Sequence, residues 1–166
     1  MTKTFYDLID SPIGTVVIVC GRDAMHSLHF LDRKPDAADG ATRSHDPLGY
    51  SRRLKAYFDG DLSALEGIAV EPAGTPFQQL VWRALRTIPA GRTESYGHIA
   101  AHIGRPTACR AVGLANGQNP ISLVIPCHRV IGTNGKLTGY GGGLHRKEWL
   151  LQHERAQQSM KLYAIM

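Results

Sequence analysis

Cys127 stands beside His128 and Arg129 in the stretch Pro126-Cys127-His128-Arg129-Val130, directly after the apolar run Ile121-Ser122-Leu123-Val124-Ile125. A cysteine that attacks carbon does so as the thiolate, and a free thiol is scarcely ionised near neutrality, so it needs a base or a positive charge close by. His128 and Arg129 are candidates for both. The competing reading is a packed core cysteine, because free Cys behaves as a small hydrophobe. The apolar run reads as a buried strand that would hold the thiol at its end. In an extended segment adjacent side chains point opposite ways, so His128 would take the thiol proton through a bridging water rather than directly.

The chain that must position these groups has 166 residues, one domain or two small ones, enough to bury roughly 70% of its unfolded surface without a metal or disulfide staple. Its three cysteines, Cys20, Cys109 and Cys127, show no C-x-x-C spacing, and the first residues lack the apolar segment of a signal peptide, so a reducing cytoplasm is expected. No apolar stretch approaches the length of a membrane span. Charge divides unevenly: residues 1–74 carry a net of −3 and residues 75–166 a net of +8. That asymmetry fits either a polyanion-binding domain joined to an acidic one or a merely basic surface.

The pattern predicts two domains, 1–73 and 74–166. In the first, Phe5 to Ile9, Thr15 to Cys20 and Ser27 to Leu31 read as an antiparallel sheet, Asp32 to Pro47 as a loop, Leu48 to Phe58 as a helix ended by Gly60, and Leu65 to Val70 as a further strand. In the second, Thr75-Pro76-Phe77-Gln78 has the chemistry of a capped helix start, with Val81, Ala84, Leu85 and Ile88 continuing at helical spacing. Ser95 caps a second helix closed by Gly104, and Pro106 opens a third that runs to Asn116-Gly117. Two short helices about a glycine-containing turn form a helix-turn-helix pattern, in which Arg105 and Arg110 would face nucleic acid.

The second domain resembles the O6-alkylguanine-DNA alkyltransferases, the methylated-DNA-protein-cysteine methyltransferases. The likeness rests on Pro126-Cys127-His128-Arg129-Val130, on Phe77-Gln78, Ser95-Tyr96, Ala111-Val112-Gly113, Asn119-Pro120, Gly139-Tyr140 and Lys147-Glu148-Trp149-Leu150-Leu151, and on Glu154 three residues further. The first domain is similar to that family's ribonuclease-H-like α/β domain in its Asp10-Ser11-Pro12-Ile13-Gly14 opening. The resemblance implies an α+β fold whose mostly helical C-terminal domain is winged-helix-like. It implies stoichiometric, single-turnover repair of duplex DNA by transfer of the alkyl group of O6-alkylguanine, and of O4-alkylthymine, to Cys127 after the nucleotide is flipped out. His128 and Glu154 would complete the relay, with Glu154 orienting the imidazole. Tyr96 would rotate the nucleotide and donate to base N3, and Arg110 would fill the gap in the stack, aided by Arg105, Ala111 and Gly113 on the DNA. Asn119 would tie the active-site strand to the helix-turn-helix, and Val130, Tyr140, Gly141 and Gly142 would line the pocket. In relatives a serine often follows the tyrosine, so Gly141 leaves only a backbone amide there and widens the pocket toward bulkier groups.

No cofactor and no metal are implied. Cys20, His26 and His29 are too loosely spaced for zinc and read as strand packing. Cys109 reads as a tolerated replacement for a small residue, and Trp82 and Trp149 as core. A monomer is expected, with side-by-side assembly along DNA as a further expectation and no membrane partner. Three alternatives stay open: a cysteine hydrolase, a non-enzymatic binder of alkylated DNA, and a plain transcription factor. Cys127→Ala separates the repair protein from the binders.

Overall fold

The computed structural model describes residues 2–132, 134, 135, 137 and 139–165, with side chains through 158. Apolar and β-branched residues between turn sequences form three strands, β1 (Phe5–Ser11), β2 (Gly14–Cys20) and β3 (Met25–Phe30), paired antiparallel in sequence. Gly14, at φ 118°, makes the tight β1–β2 turn that a residue with a Cβ would strain. β4 (Thr42–Arg43) joins the free edge of β1 in parallel, giving the order β3-β2-β1-β4. This strand lies inside the stretch expected to be loop; two residues are too short to leave a periodic signal.

α1 (Tyr50–Phe58) packs Leu54 and Tyr57 into the core beneath β1. The helix begins later than the apolar pattern suggests: Leu48 lies outside it, 45% exposed and in left-handed backbone at φ 58°. The buried Asp7 carboxylate explains the bend, accepting from Ser51 Oγ at 2.6 Å and from the Asp46 amide at 3.1 Å, with Arg43 at 3.2 Å. The expected strand over 65–70 is not formed. Leu62–Leu65 is a 3-10 turn, and only Val70 bridges Met25. These elements, with Pro120–Val124, make one compact unit.

The second unit comprises Gly74–Asn119 and Ile125–Met166. α2 (Pro76–Leu85) starts with the reciprocal cap its sequence predicts, Thr75 Oγ1 accepting from the Gln78 amide at 3.1 Å and Gln78 Oε1 from the Thr75 amide at 2.8 Å. α3 (Tyr96–His102) is capped by Ser95 and α4 (Cys109–Gly117) follows. α4 opens at Cys109, not Pro106: Arg105 to Ala108 form a hydrogen-bonded turn in between. α5 (Leu144–Ile165) closes the unit, and β5 (Glu94–Ser95) pairs in parallel with β6 (Val130–Ile131). Trp82 is buried and donates Nε1–H to Ala115 O at 2.9 Å, fastening α2 to α4. Trp149 is only half-buried, stacked on His153 at 4.7 Å, so it is not core as expected.

Candidate active site

The run Ile121 to Ile125 is buried except at Ser122, but it is not a strand: only Ile121 bridges Leu28. Its backbone groups go elsewhere: Ser122 N–H donates to Leu28 O, Val124 N–H to Ser122 O, and Leu123 turns through φ 71°. Asn119 Nδ2 captures the Ile125 carbonyl at 2.7 Å, and the Cys127 amide donates to the same carbonyl at 2.8 Å. A short apolar run is equally compatible with strand or turn once it is fully buried, which is why periodicity misassigned it.

Cys127 therefore sits at the start of a 3-10 turn, Cys127–Arg129, rather than on extended chain. With three residues per turn, the Cys127 and His128 side chains diverge by about 120° instead of opposing each other. Cys127 is 4% exposed and His128 is fully buried. His128 Nε2 lies 2.7 Å from Glu154 Oε1, and Arg129 grips the same carboxylate with Nε at 3.0 Å from Oε2 and Nη2 at 2.9 Å from Oε1. Arg129 Nη1 also donates to Ile88 O at 2.7 Å, and the Gly91 amide to Glu154 Oε2 at 3.2 Å. One carboxylate on α5 thus holds the 3-10 turn and the chain just past α2.

Protonation follows from this arrangement. Burial alone would raise the Glu154 pKa, but the His128 and Arg129 contacts hold it well below the usual carboxylate range. Burial pushes His128 below its usual 6.5; Glu154 pulls the other way, while the cations of Arg129 and Lys147 reinforce the lowering. Glu154 is thus ionised with Arg129 as its counter-charge, and His128 is neutral. An ionised carboxylate only accepts, so Nε2 carries the imidazole hydrogen and Nδ1 presents its lone pair. Nδ1 is buried and has no hydrogen-bond partner among the described residues.

Two further groups against Cys127 escaped the sequence reading of the site. Lys147, on α5, is fully buried and donates Nζ–H to Val130 O at 2.6 Å. Burial lowers its pKa to about 8, and the neighbouring Cys127 opposes the fall. Asn116, on α4, is 2% exposed and donates Nδ2–H to Cys127 O at 3.4 Å, while its Oδ1 is buried with no partner among the described residues. A buried polar lysine inside an apolar helix stripe is the signal that could have marked Lys147; Asn116 had none, since Asn-Gly reads as a helix end.

The remaining expected residues divide among three places. Arg105, Arg110 and Ala111 are exposed along the α3–α4 turn and α4, beside Leu114 at 65% exposure. Tyr96 opens α3, half-buried, its ring so near Gly113 that a Cβ there would lie 3.8 Å from it. Val130 is buried behind Cys127 on β6, and Tyr140 is buried in the glycine segment before α5, where Arg146 Nη1 holds Gly142 O at 3.1 Å. Gly141 is exposed and lies against the end of α4, a Cβ there meeting Gly117 O at 3.8 Å. Cys20 is buried in β2, His26 meets Glu71 at 3.3 Å, and no group of three metal-ligating residues occurs among the described residues. No helix among those residues is long and apolar enough to cross a membrane.

Known proteins resemble this chain in sequence and fold. The model of the family described as 6-O-methylguanine DNA methyltransferase, DNA binding domain, matches residues 76–156. The methylated-DNA–protein-cysteine methyltransferase of Salmonella typhimurium is 44% identical over 167 residues, covering 93% of this chain and 97% of that one. Its namesake in Mycolicibacterium paratuberculosis is 49% identical, covering 95% and 96%. The crystal structure of Mycobacterium tuberculosis OGT in complex with DNA aligns with a TM-score of 0.85 at 46% identity, over 92% of this chain and 94% of that one.

Proposed function

The chain belongs to the methylated-DNA–protein-cysteine methyltransferase family, and we propose that it repairs duplex DNA by moving the alkyl group of O6-alkylguanine onto Cys127, one group per molecule. The observation that carries this reading is the buried cluster of His128, Glu154 and Arg129 directly beside the buried Cys127 in the chain, which sets next to a nucleophile a neutral base whose other nitrogen is already anchored. The Cys127 thiol proton passes to His128 Nδ1 across a solvent bridge, as the divergence of the two side chains favours. The ammonium of Lys147 favours the thiolate, by the same attraction that sustains its own charge. Sulfur attacks the alkyl carbon, the carbon–oxygen bond breaks, and its electron pair leaves with guanine, which gains the proton that His128 had taken and so returns the imidazole to its neutral form. The thioether does not hydrolyse, so the protein is spent.

The lesion reaches the thiol by leaving the stack, at a cost of a few kcal/mol. Arg110 fills the gap, Tyr96 donates to base N3, and Arg105, Ala111 and Gly113 contact the backbone beside them. The exposed, carboxylate-free face of α4 and the +8 charge of residues 75–166 support this assignment. Val130, Tyr140, Gly141 and Gly142 form the pocket, Asn119 braces it, and O4-alkylthymine is a second substrate. The meander of β1, β2 and β3 with a parallel β4 and covering α1 supports a ribonuclease-H-like N-terminal domain, and α3–α4 beside the β5–β6 pair a winged-helix-like C-terminal one. The protein acts as a monomer, with side-by-side assembly along DNA.

Two outcomes test the pocket and the base. Among the described residues a Cβ at Gly141 meets nothing closer than ordinary contact, so Gly141→Ser should fold and lower the benzyl-to-methyl transfer ratio; an unchanged ratio counts against a pocket widened by Gly141. Because the depressed pKa keeps His128 unprotonated to lower pH, the acid limb of the transfer rate should have its midpoint below 6.5. Rates measured over about pH 5 to 8 decide it; a midpoint at or above 6.5 contradicts the assignment.

A further inference from the structure

α4 presents Arg110, Ala111 and Leu114 outward and buries Val112, Ala115 and Asn116. Among the buried three only Asn116 is polar, and packing alone gives no reason for an amide there, because leucine has nearly the same branched outline and would leave no orphaned oxygen. The amide orientation is dictated by its neighbour: turned over, Oδ1 would face Cys127 O, two acceptors in contact. Three residues on, Asn119 Nδ2 holds Ile125 O at 2.7 Å. The end of α4 therefore grips the main chain on both sides of Pro126, once before the nucleophile and once at it.

We infer that Asn116 is a positioning residue, which keeps the Cys127 carbonyl, and with it the thiol, in register with the helix that faces DNA. The inference rests on the reading of Cys127 as alkyl acceptor and of α4 as the DNA-facing helix, and it goes beyond that reading by giving the helix a second duty. DNA seated on α4 and the sulfur aimed at carbon are then parts of one rigid assembly, Arg110 and Asn116 lying six positions apart on one helix. Losing the tie should leave duplex affinity alone, since no outward side chain changes, and slow the transfer step, since a small misplacement of the attacking atom is costly.

The test compares the parent with Asn116→Leu and Asn116→Ala. Leu keeps the outline without a donor, and Ala only removes atoms. Single-turnover transfer from duplex carrying O6-methylguanine, followed against protein concentration, separates affinity from the transfer step, and thermal unfolding reports on folding. The expected result in every folded variant is parental affinity with a transfer step about 10–100-fold slower. A folded variant that transfers at the parental rate, or whose loss lies wholly in affinity, overturns the inference while the functional reading stands. Failure of both variants to fold overturns it too, because Asn116 is then a structural residue. A parent that accepts no alkyl group sinks the functional reading and this inference with it.

Discussion

Glu154→Ala should both unfold the protein more readily and nearly abolish alkyl transfer. Residues 75–166 hold three carboxylates, Glu94, Glu148 and Glu154, and only Glu154 is buried, answering Arg129, His128 and the Gly91 amide. Removing it strands a buried guanidinium, which typically costs about 3–5 kcal/mol. It also releases the imidazole: with no acceptor at Nε2, the tautomer that presents a lone pair at Nδ1 is no longer selected. Glu154→Gln separates the two effects, since the amide oxygen still accepts from His128 while the charge is gone. Denaturant midpoints and single-turnover rates measured together should show both variants destabilised, Ala more than Gln. A Glu154→Ala protein as stable and as fast as the parent would mean that the carboxylate is a bystander.

The pH dependence of stability carries the same signature. Glu154 is held below its ordinary 4.5 and His128 below 6.5, so each is protonated more readily in the unfolded chain than in the folded one. Their contribution is fully present above 6.5 and is lost on acidification, first through His128 and then, below 4.5, through Glu154.

Cys127→Ala should lose transfer completely and still bind alkylated duplex. Cys127 is small and 4% exposed, and removing its thiol leaves the Glu154 clamp and the exposed residues of α3 and α4 untouched. Binding measured by titration against duplex with and without O6-methylguanine would show retained preference for the lesion. Residual transfer to the Ala variant would place the acceptor at another cysteine, Cys109 being exposed on α4 and Cys20 buried with its thiol pushed up to about 11.

Much of this was legible in the chain, for reasons particular to each element. Strands β1 to β3 announce themselves because turn residues punctuate runs of β-branched side chains, and α2 because Thr75, Pro76 and Gln78 form its cap locally. The segment that carries the nucleophile was misread for the opposite reason. Its shape is set by side chains distant from the run itself: Asn119 and Asn116 at the end of α4 and the main chain of β3 at Leu28. Nothing within Ile121 to Ile125 encodes those partners. The pairing of His128 with Glu154 across 26 positions was expected through the family resemblance and not from spacing, and the burial of Lys147 beside Cys127 arises only when α5 packs on the 3-10 turn.

The most direct measurement is the mass of the intact protein titrated with duplex DNA carrying O6-methylguanine, followed by peptide mapping. The account predicts a gain of one methyl group per chain, located on the peptide containing Cys127, with guanine restored in equal amount and no further repair once every chain is modified. Guanine restored in excess of protein, or a methyl group found anywhere but Cys127, would contradict it.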